Sequence, residues 1–190
     1  MRRVPLTQIA HARVAAHLRP GDLVVDATAG NGHDTLFLAR QVAPGGRVFA
    51  FDVQSGALEH TAARLQTAGL RDHVELVHDG HQNLLQHLPR EALGKIRAAM
   101  FNLGYLPGGD KQRTTQGAHT VEALRQGIQA LDPSGVISIL VYRGHAGGLA
   151  EAAAVEHWLG ELPGTWRLET VPSPGPVLHL VTGSATDRDH

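Results

Sequence analysis

The stretch VVDATAGNGHDT, residues 24–35, decides how this chain folds. It begins inside a short apolar run, residues 23–27 (LVVDA), of the kind that forms a strand covered on both faces. Gly30 and Gly32 then permit a tight turn and a close backbone approach, and helical spacing follows from about 33 to 42. A strand, a glycine turn and a helix in that order leave backbone N–H groups at a helix N-terminus, facing whatever sits above the strand end. Asp34 in the first helical turn suits the helix dipole but would repel a pyrophosphate, so Asp26 and Asp34 favour a ligand carrying an ammonium or sulfonium charge.

The same alternation recurs outward from this unit. Pro44-Gly45-Gly46 makes a turn, residues 47–53 (RVFAFDV) a second strand, and 55–68 a helix stopped at Gly69. Residues 74–78 form the third strand and 83–93 a helix that includes Pro89. The fourth strand covers 98–103, and a helix over 115–131 closes at Asp132-Pro133-Ser134-Gly135. Residues 136–143 are the fifth strand and 148–162 a helix, and two strands near 166–171 and 177–182 end the chain with no helix between them. Strands that are continuously apolar rather than alternating predict an α/β domain with helices on both faces of a parallel sheet. Five such units and a closing hairpin predict a doubly wound seven-stranded sheet whose last strand is antiparallel. Ligands of such sheets bind at the carboxyl ends of the strands, where the strand order reverses.

Composition narrows the function classes. The 190 residues are 42% hydrophobic and 18% charged, the mix of one soluble globular domain over 1–183, with 184–190 expected to be a disordered tail. The basic start has no unbroken apolar core or cleavage site, and no apolar stretch approaches bilayer length, which predicts a cytoplasmic protein. Cysteine is absent, which excludes disulfides, thiolate zinc, cysteine-held iron–sulfur clusters and a cysteine nucleophile. Seventeen Lys and Arg against 18 Asp and Glu give a net charge of −1, so any grip on nucleic acid must come from a local patch.

The second strand supplies the partner of the glycine turn. Asp52 ends it and Gln54 follows; from Gly30 to Asp52 is 52 − 30 = 22 positions, near the roughly 20 expected of an acid that binds ribose hydroxyls. The two elements together describe an adenosine-containing ligand over the first two strand ends. Thr35 stands where a dinucleotide fingerprint would have its third glycine, which counts against a nicotinamide-dependent oxidoreductase.

AGNGHDT, the FDVQ strand end and the later NLGYLPGGDK resemble class I S-adenosylmethionine-dependent methyltransferases, with their Rossmann-like fold. More narrowly, they resemble the small bacterial rRNA methylase family, whose characterised members are tRNA methyltransferases. Those enzymes methylate the amino group of 5-aminomethyl-2-thiouridine at the wobble position. The resemblance runs from about residue 4 to 182 and implies that Gly30, Asn31, Gly32, Asp34, Asp52, Gln54 and the Asp79-Gly80-His81 turn bind S-adenosylmethionine. On this reading Asp79 accepts from the adenine amino group. A shared metal site for His78, Asp79 and His81 is disfavoured, since 78 and 79 point to opposite faces of a strand end.

The resemblance also places the acceptor. Asn102 lies near the end of the fourth strand where related enzymes keep a polar group, and its carbonyl, or the backbone carbonyl of Leu103 or Gly104, can accept an amine proton and aim the lone pair; Tyr105 offers a flat face or a hydroxyl. Lys111, Arg113, Arg143 and His145, with Arg2, Arg3 and Arg13 in reach, are the candidate contacts to the anticodon stem-loop of tRNA. A homodimer would give a small neutral domain more surface for RNA. Without cysteine, neither covalent attack on a pyrimidine ring nor radical chemistry is open, which leaves direct transfer to nitrogen or oxygen. The rival readings are methylation of rRNA or of a small molecule, nicotinamide-dependent oxidoreduction, and an RNA-binding module without catalysis.

Overall fold

The computed structural model describes residues 4–104, 117–144 and 146–183. Tyr105, Lys111, Arg113, His145, Arg2, Arg3 and the tail at 184–190 lie outside the described residues. The chain runs α1 (Leu6–Ala15), β1 (Leu23–Asp26), α2 (His33–Val42), β2 (Arg47–Phe51), α3 (Ser55–Thr67), β3 (Val74–Val77) and α4 (Leu84–His87). It continues through β4 (Ile96–Leu103), α5 (Gly117–Ala130), β5 (Leu131–Val141), α6 (Gly148–Gly160), β6 (Trp166–Val171) and β7 (Val177–Gly183). The seven strands form one sheet in the order β3-β2-β1-β4-β5-β7-β6. β7 runs antiparallel to both its neighbours, and β1 to β5 are parallel. The order reverses between β1 and β4, so the expected crevice opens above the ends of those two strands.

The period-2 alternation of strand side chains explains why the strands read as unbroken apolar runs. Val25, Phe49, Phe51, Ala99, Phe101, Ile137 and Ile139 face one core, with Leu84 of α4, Leu124 of α5 and Val155 and Trp158 of α6. Val24, Val48, Ala50, Ala98, Met100, Val136 and Leu140 face the other, with Val14 of α1, Leu38 of α2 and Leu65 of α3. Each buried Phe or Leu in these layers is worth about 1.5–3 kcal/mol over an exposed one.

Three differences from the sequence expectation have physical causes. The helix expected over 83–93 is only Leu84–His87, with short turns of 3-10 helix on either side at His81–Asn83 and Arg90–Ala92. Pro89 has no N–H to donate, and Leu88 before it is extended at ψ 133°. β5 starts at Leu131 rather than 136, because Asp132-Pro133-Ser134-Gly135 forms an irregularity within the strand where the pairing with β4 shifts register. Helix α1 was not foreseen: its polar residues interrupt the apolar spacing, and only Ala10 and Val14 are buried.

Gly32 caps α2 in the left-handed region, at φ +76°, and a Cβ there would lie 2.8 Å from the Thr61 hydroxyl and 2.9 Å from its Cα. Gly21 has a similar φ of +94° with open space around it. Gly21→Ala is therefore expected to cost about 1–2 kcal/mol from backbone strain alone, and Gly32→Ala about 2–5 kcal/mol as the clash with α3 is added. Urea unfolding of the two variants measures the difference, and equal losses would mean that α3 yields to the added methyl.

Candidate active site

The turn after β1 is braced from below and from the side. Asp26 is wholly buried; one carboxylate oxygen accepts the Thr28 N–H at 3.1 Å and the other the Thr35 hydroxyl at 2.6 Å. Burial, then the nearby charge of Asp34, pushes the Asp26 carboxyl up to about 7. The turn's backbone is held by α3: Thr61 donates its hydroxyl to the Gly30 carbonyl at 3.0 Å, and Arg64 donates to that of Asn31 at 2.8 Å. Gly30 itself has φ +51°, which glycine adopts without strain.

Asp52, just beyond β2, joins the two halves of the predicted ligand site. It accepts the Gly30 N–H at 2.9 Å on one oxygen and the Gln54 N–H at 2.9 Å on the other. A carboxylate has about four acceptor positions, so each oxygen keeps a lone pair. The ends of β2 and β3 adjoin, with the Asp52 N–H donating to the Val77 carbonyl at 3.1 Å. There Asp79 is already engaged by the Gly80 N–H at 2.7 Å, the Asn83 amide at 3.1 Å and the His87 ring at 2.8 Å, and these donors hold it below the usual carboxylate range. His81 is 7% exposed, and its Nδ1 donates to the Ala27 carbonyl at 3.2 Å, with its ring tilted toward Phe101. Burial pushes that imidazole down to about 4, so it is neutral and lies beneath the strand ends.

The other half of the crevice is built on β4. The Asn102 backbone N–H donates to the Thr28 hydroxyl at 2.8 Å, and its side-chain amide donates to Asp34 through a short hydrogen bond. Asp34, buried in the first turn of α2, also accepts from His11 of α1 at 2.6 Å. The amide orientation follows from chemistry, because a carboxylate repels the Asn102 carbonyl and attracts its N–H. The Asn102 carbonyl oxygen is left without a partner among the described residues. Beside it Tyr142, just past β5, is 40% exposed, and its hydroxyl is raised above the usual phenol range by burial and then by the Asp34 charge.

Asp26, Asp34, Asn102, Gly30, Asp52 and Gln54 thus form one connected site, and Asp79 and Gly80 border it at the end of β3. Arg143 lies off this network, ion-paired to Glu156 at 2.6 Å, and Arg13 pairs with Glu169 at 2.8 Å. Tyr105, Lys111, Arg113 and His145 fall outside the described residues. Sequence reasoning missed His11 and Tyr142. An aromatic at the end of the fifth strand was a readable signal for Tyr142, whereas nothing in the sequence tied His11 to Asp34.

A family model described as "Putative rRNA methylase" matches residues 48–170, more than half of the chain. The chain belongs to that family. The solved structure of a "putative rRNA-methylase" from Clostridium thermocellum is 33% identical and superposes with a TM-score of 0.91, over 96% of this chain and 100% of that one. A putative methyltransferase from Streptococcus mutans, solved in complex with SAH, is 32% identical with a TM-score of 0.84, over 96% and 99%. The chloroplastic tRNA (mnm5s2U34)-methyltransferase of Arabidopsis thaliana is 38% identical over 85% of this chain and 61% of its own length. The chain therefore spans about three fifths of that curated relative.

For an rRNA methylase family member, the residues present fit S-adenosylmethionine. Asp52 has free lone pairs for a ribose diol, Gly30 and Gly32 carry no side chain to block a nucleoside, and the carboxylates of Asp26 and Asp34 suit a sulfonium better than a phosphate. No helix among the described residues is long and apolar enough to cross a membrane.

The pH dependence of the chain's stability should bear the mark of His81. Its folded-state value lies below the unfolded one of 6.5, so the stability it contributes is present above pH 6.5 and is lost as pH falls toward about 4. Relative to His81→Gln, wild type should lose up to roughly 3 kcal/mol over that interval. Urea unfolding at pH 7 and at pH 4.5 checks this. Parallel losses in both proteins would mean that His81 does not titrate differently on folding.

Proposed function

We propose that the chain methylates the amine of a 5-aminomethyl group on the wobble 2-thiouridine of tRNA, giving the 5-methylaminomethyl form. The chain is an S-adenosylmethionine-dependent methyltransferase. One observation carries the choice of acceptor: at the end of β4 Asn102 presents a carbonyl with no partner among the described residues, next to an acidic pair. Such a carbonyl accepts an N–H from a neutral amine and leaves the nitrogen lone pair directed away from it. The relative in Arabidopsis thaliana, whose name states this tRNA position, supports the same reading.

S-adenosylmethionine supplies, when bound, a methyl carbon made electrophilic by its sulfonium. Asp52 accepts the ribose hydroxyls and, through its bonds to Gly30 and Gln54, fixes the turn and the second strand end around them. Gly30, Asn31 and Gly32 line the turn, and Asp79, Gly80 and His81 border the adenine side, with Asp79 and His81 shaping that loop through their own hydrogen bonds. Asn102 orients the amine, and positioning of this kind supplies much of the rate of an in-line displacement. Tyr105 and the exposed Tyr142 offer faces against which a base taken out of its stack can rest.

The anticodon stem-loop is the proposed partner. Arg143 meets its backbone by exchanging Glu156 for a phosphate, since an exposed ion pair is worth only about 0–1 kcal/mol. Lys111, Arg113 and His145 extend the contact, and a second copy of the chain would widen the surface.

Calorimetry with S-adenosylmethionine and transfer assays on tRNA bearing or lacking the aminomethyl group test the proposal. Asp52→Ala removes two charge-assisted hydrogen bonds to ligand hydroxyls and should weaken cofactor binding by about 100-fold or more. Wild type should methylate only the aminomethyl-bearing tRNA. Cofactor binding without transfer to that tRNA would refute the proposed acceptor.

A further inference from the structure

The polar cluster on the acceptor side contains a residue that no cofactor or base contact requires. His11 lies on α1, stacked on Phe37 at 4.0 Å between ring centroids and within 3° of parallel. Its Nε2 is 2.6 Å from Asp34, and the other oxygen of Asp34 receives the Asn102 amide. An ionised carboxylate only accepts hydrogen bonds, so the ring must present an N–H to it. We infer that His11 is a positioning residue for the transfer, holding Asp34 as an acceptor so that the Asn102 amide points its N–H inward and its carbonyl at the acceptor amine. The inference rests on the proposed methylation of an amine.

The alternative state shows why His11 is needed. Asp34 lies close to Asp26, and Tyr142 faces it from the end of β5; neither supplies a positive charge. Without the His11 N–H, the Asp34 carboxylate loses the donor that fixes one of its oxygens, and the Asn102 amide is no longer held by a fixed acceptor on the other. The amide is then free to turn over and present N–H groups to the amine. An amide N–H turned toward a neutral amine donates to the nitrogen lone pair and so occupies the electrons that must attack the methyl carbon. The chain His11–Asp34–Asn102 therefore also selects among nucleophiles, favouring one that has an N–H to give.

Two substitutions separate the hydrogen bond from the packing. His11→Phe keeps a ring on Phe37 and has no donor, whereas His11→Gln keeps an N–H and loses the stack. Single-turnover transfer to aminomethyl-bearing tRNA should slow about 10- to 100-fold in His11→Phe and stay within about threefold of wild type in His11→Gln, with SAH affinity by calorimetry unchanged in both. Heteronuclear NMR of the labelled chain, with the Asn102 amide assigned by its loss in Asn102→Ala, adds a readout free of substrate. One amide proton should lie far downfield in wild type and in His11→Gln, and move back in His11→Phe. A normal rate in His11→Phe, a slow His11→Gln, or an amide resonance indifferent to His11 would overturn the inference. Should wild type fail to methylate that tRNA, the proposed acceptor fails, and the amide resonances alone decide whether His11 sets the orientation of Asn102.

Discussion

A carboxyl group with no access to water closes the first strand, and the crevice is assembled around it. An ionised Asp26 would be costly in that position, and the Thr28 N–H and Thr35 hydroxyl offset the cost while tying the strand end to both sides of the glycine turn. The Thr28 hydroxyl then accepts the Asn102 N–H, so β1, the turn, α2 and β4 meet at one point. Asp34 stands beside Asp26, and the pair resists holding two charges at once. His11 and Asn102 donate to Asp34, while burial and then the neighbouring Asp34 charge raise Asp26.

This arrangement separates the electrostatic tasks. Acidic groups line the part of the crevice where the proposed sulfonium and amine would meet, and the Asp52 carboxylate would suit hydroxyls rather than phosphates. The arginines proposed to meet RNA lie away from it: Arg143 pairs with Glu156 and Arg13 with Glu169 at the surface. Both pairs are exposed and weak, so they do not close those arginines to a phosphate backbone. A net charge of −1 is thus compatible with an RNA substrate.

Much of the architecture was readable along the chain. A strand covered on both faces must be apolar at every position, so β1, β2, β4 and β5 announce themselves, and their spacing by helices implies the parallel sheet. The glycine turn was readable because left-handed backbone at Gly30 and Gly32 demands glycine, and Asp52 because one βαβ unit returns the chain to the neighbouring strand end. The short α4 shows where local reading misled, since Pro89 stops the helix earlier than the apolar spacing suggests. α1 escaped notice because it buries only two residues and carries no regular apolar stripe.

The pattern of apolar runs, glycines and strand-end acids determined the fold class, the place of the crevice and the end of the site proposed to take adenosine, because each depends on backbone geometry within one or two neighbouring elements. Tertiary structure alone decided what the polar residues do once they are there. Asp34 meets His11 from 23 residues upstream and Asn102 from 68 downstream, and His81 turns beneath the sheet to reach Ala27, 54 positions away. Hydrogen bonds between elements depend on how helices seat on the two faces of the sheet. That seating is set by the packing of both cores together, which no spacing along the chain records.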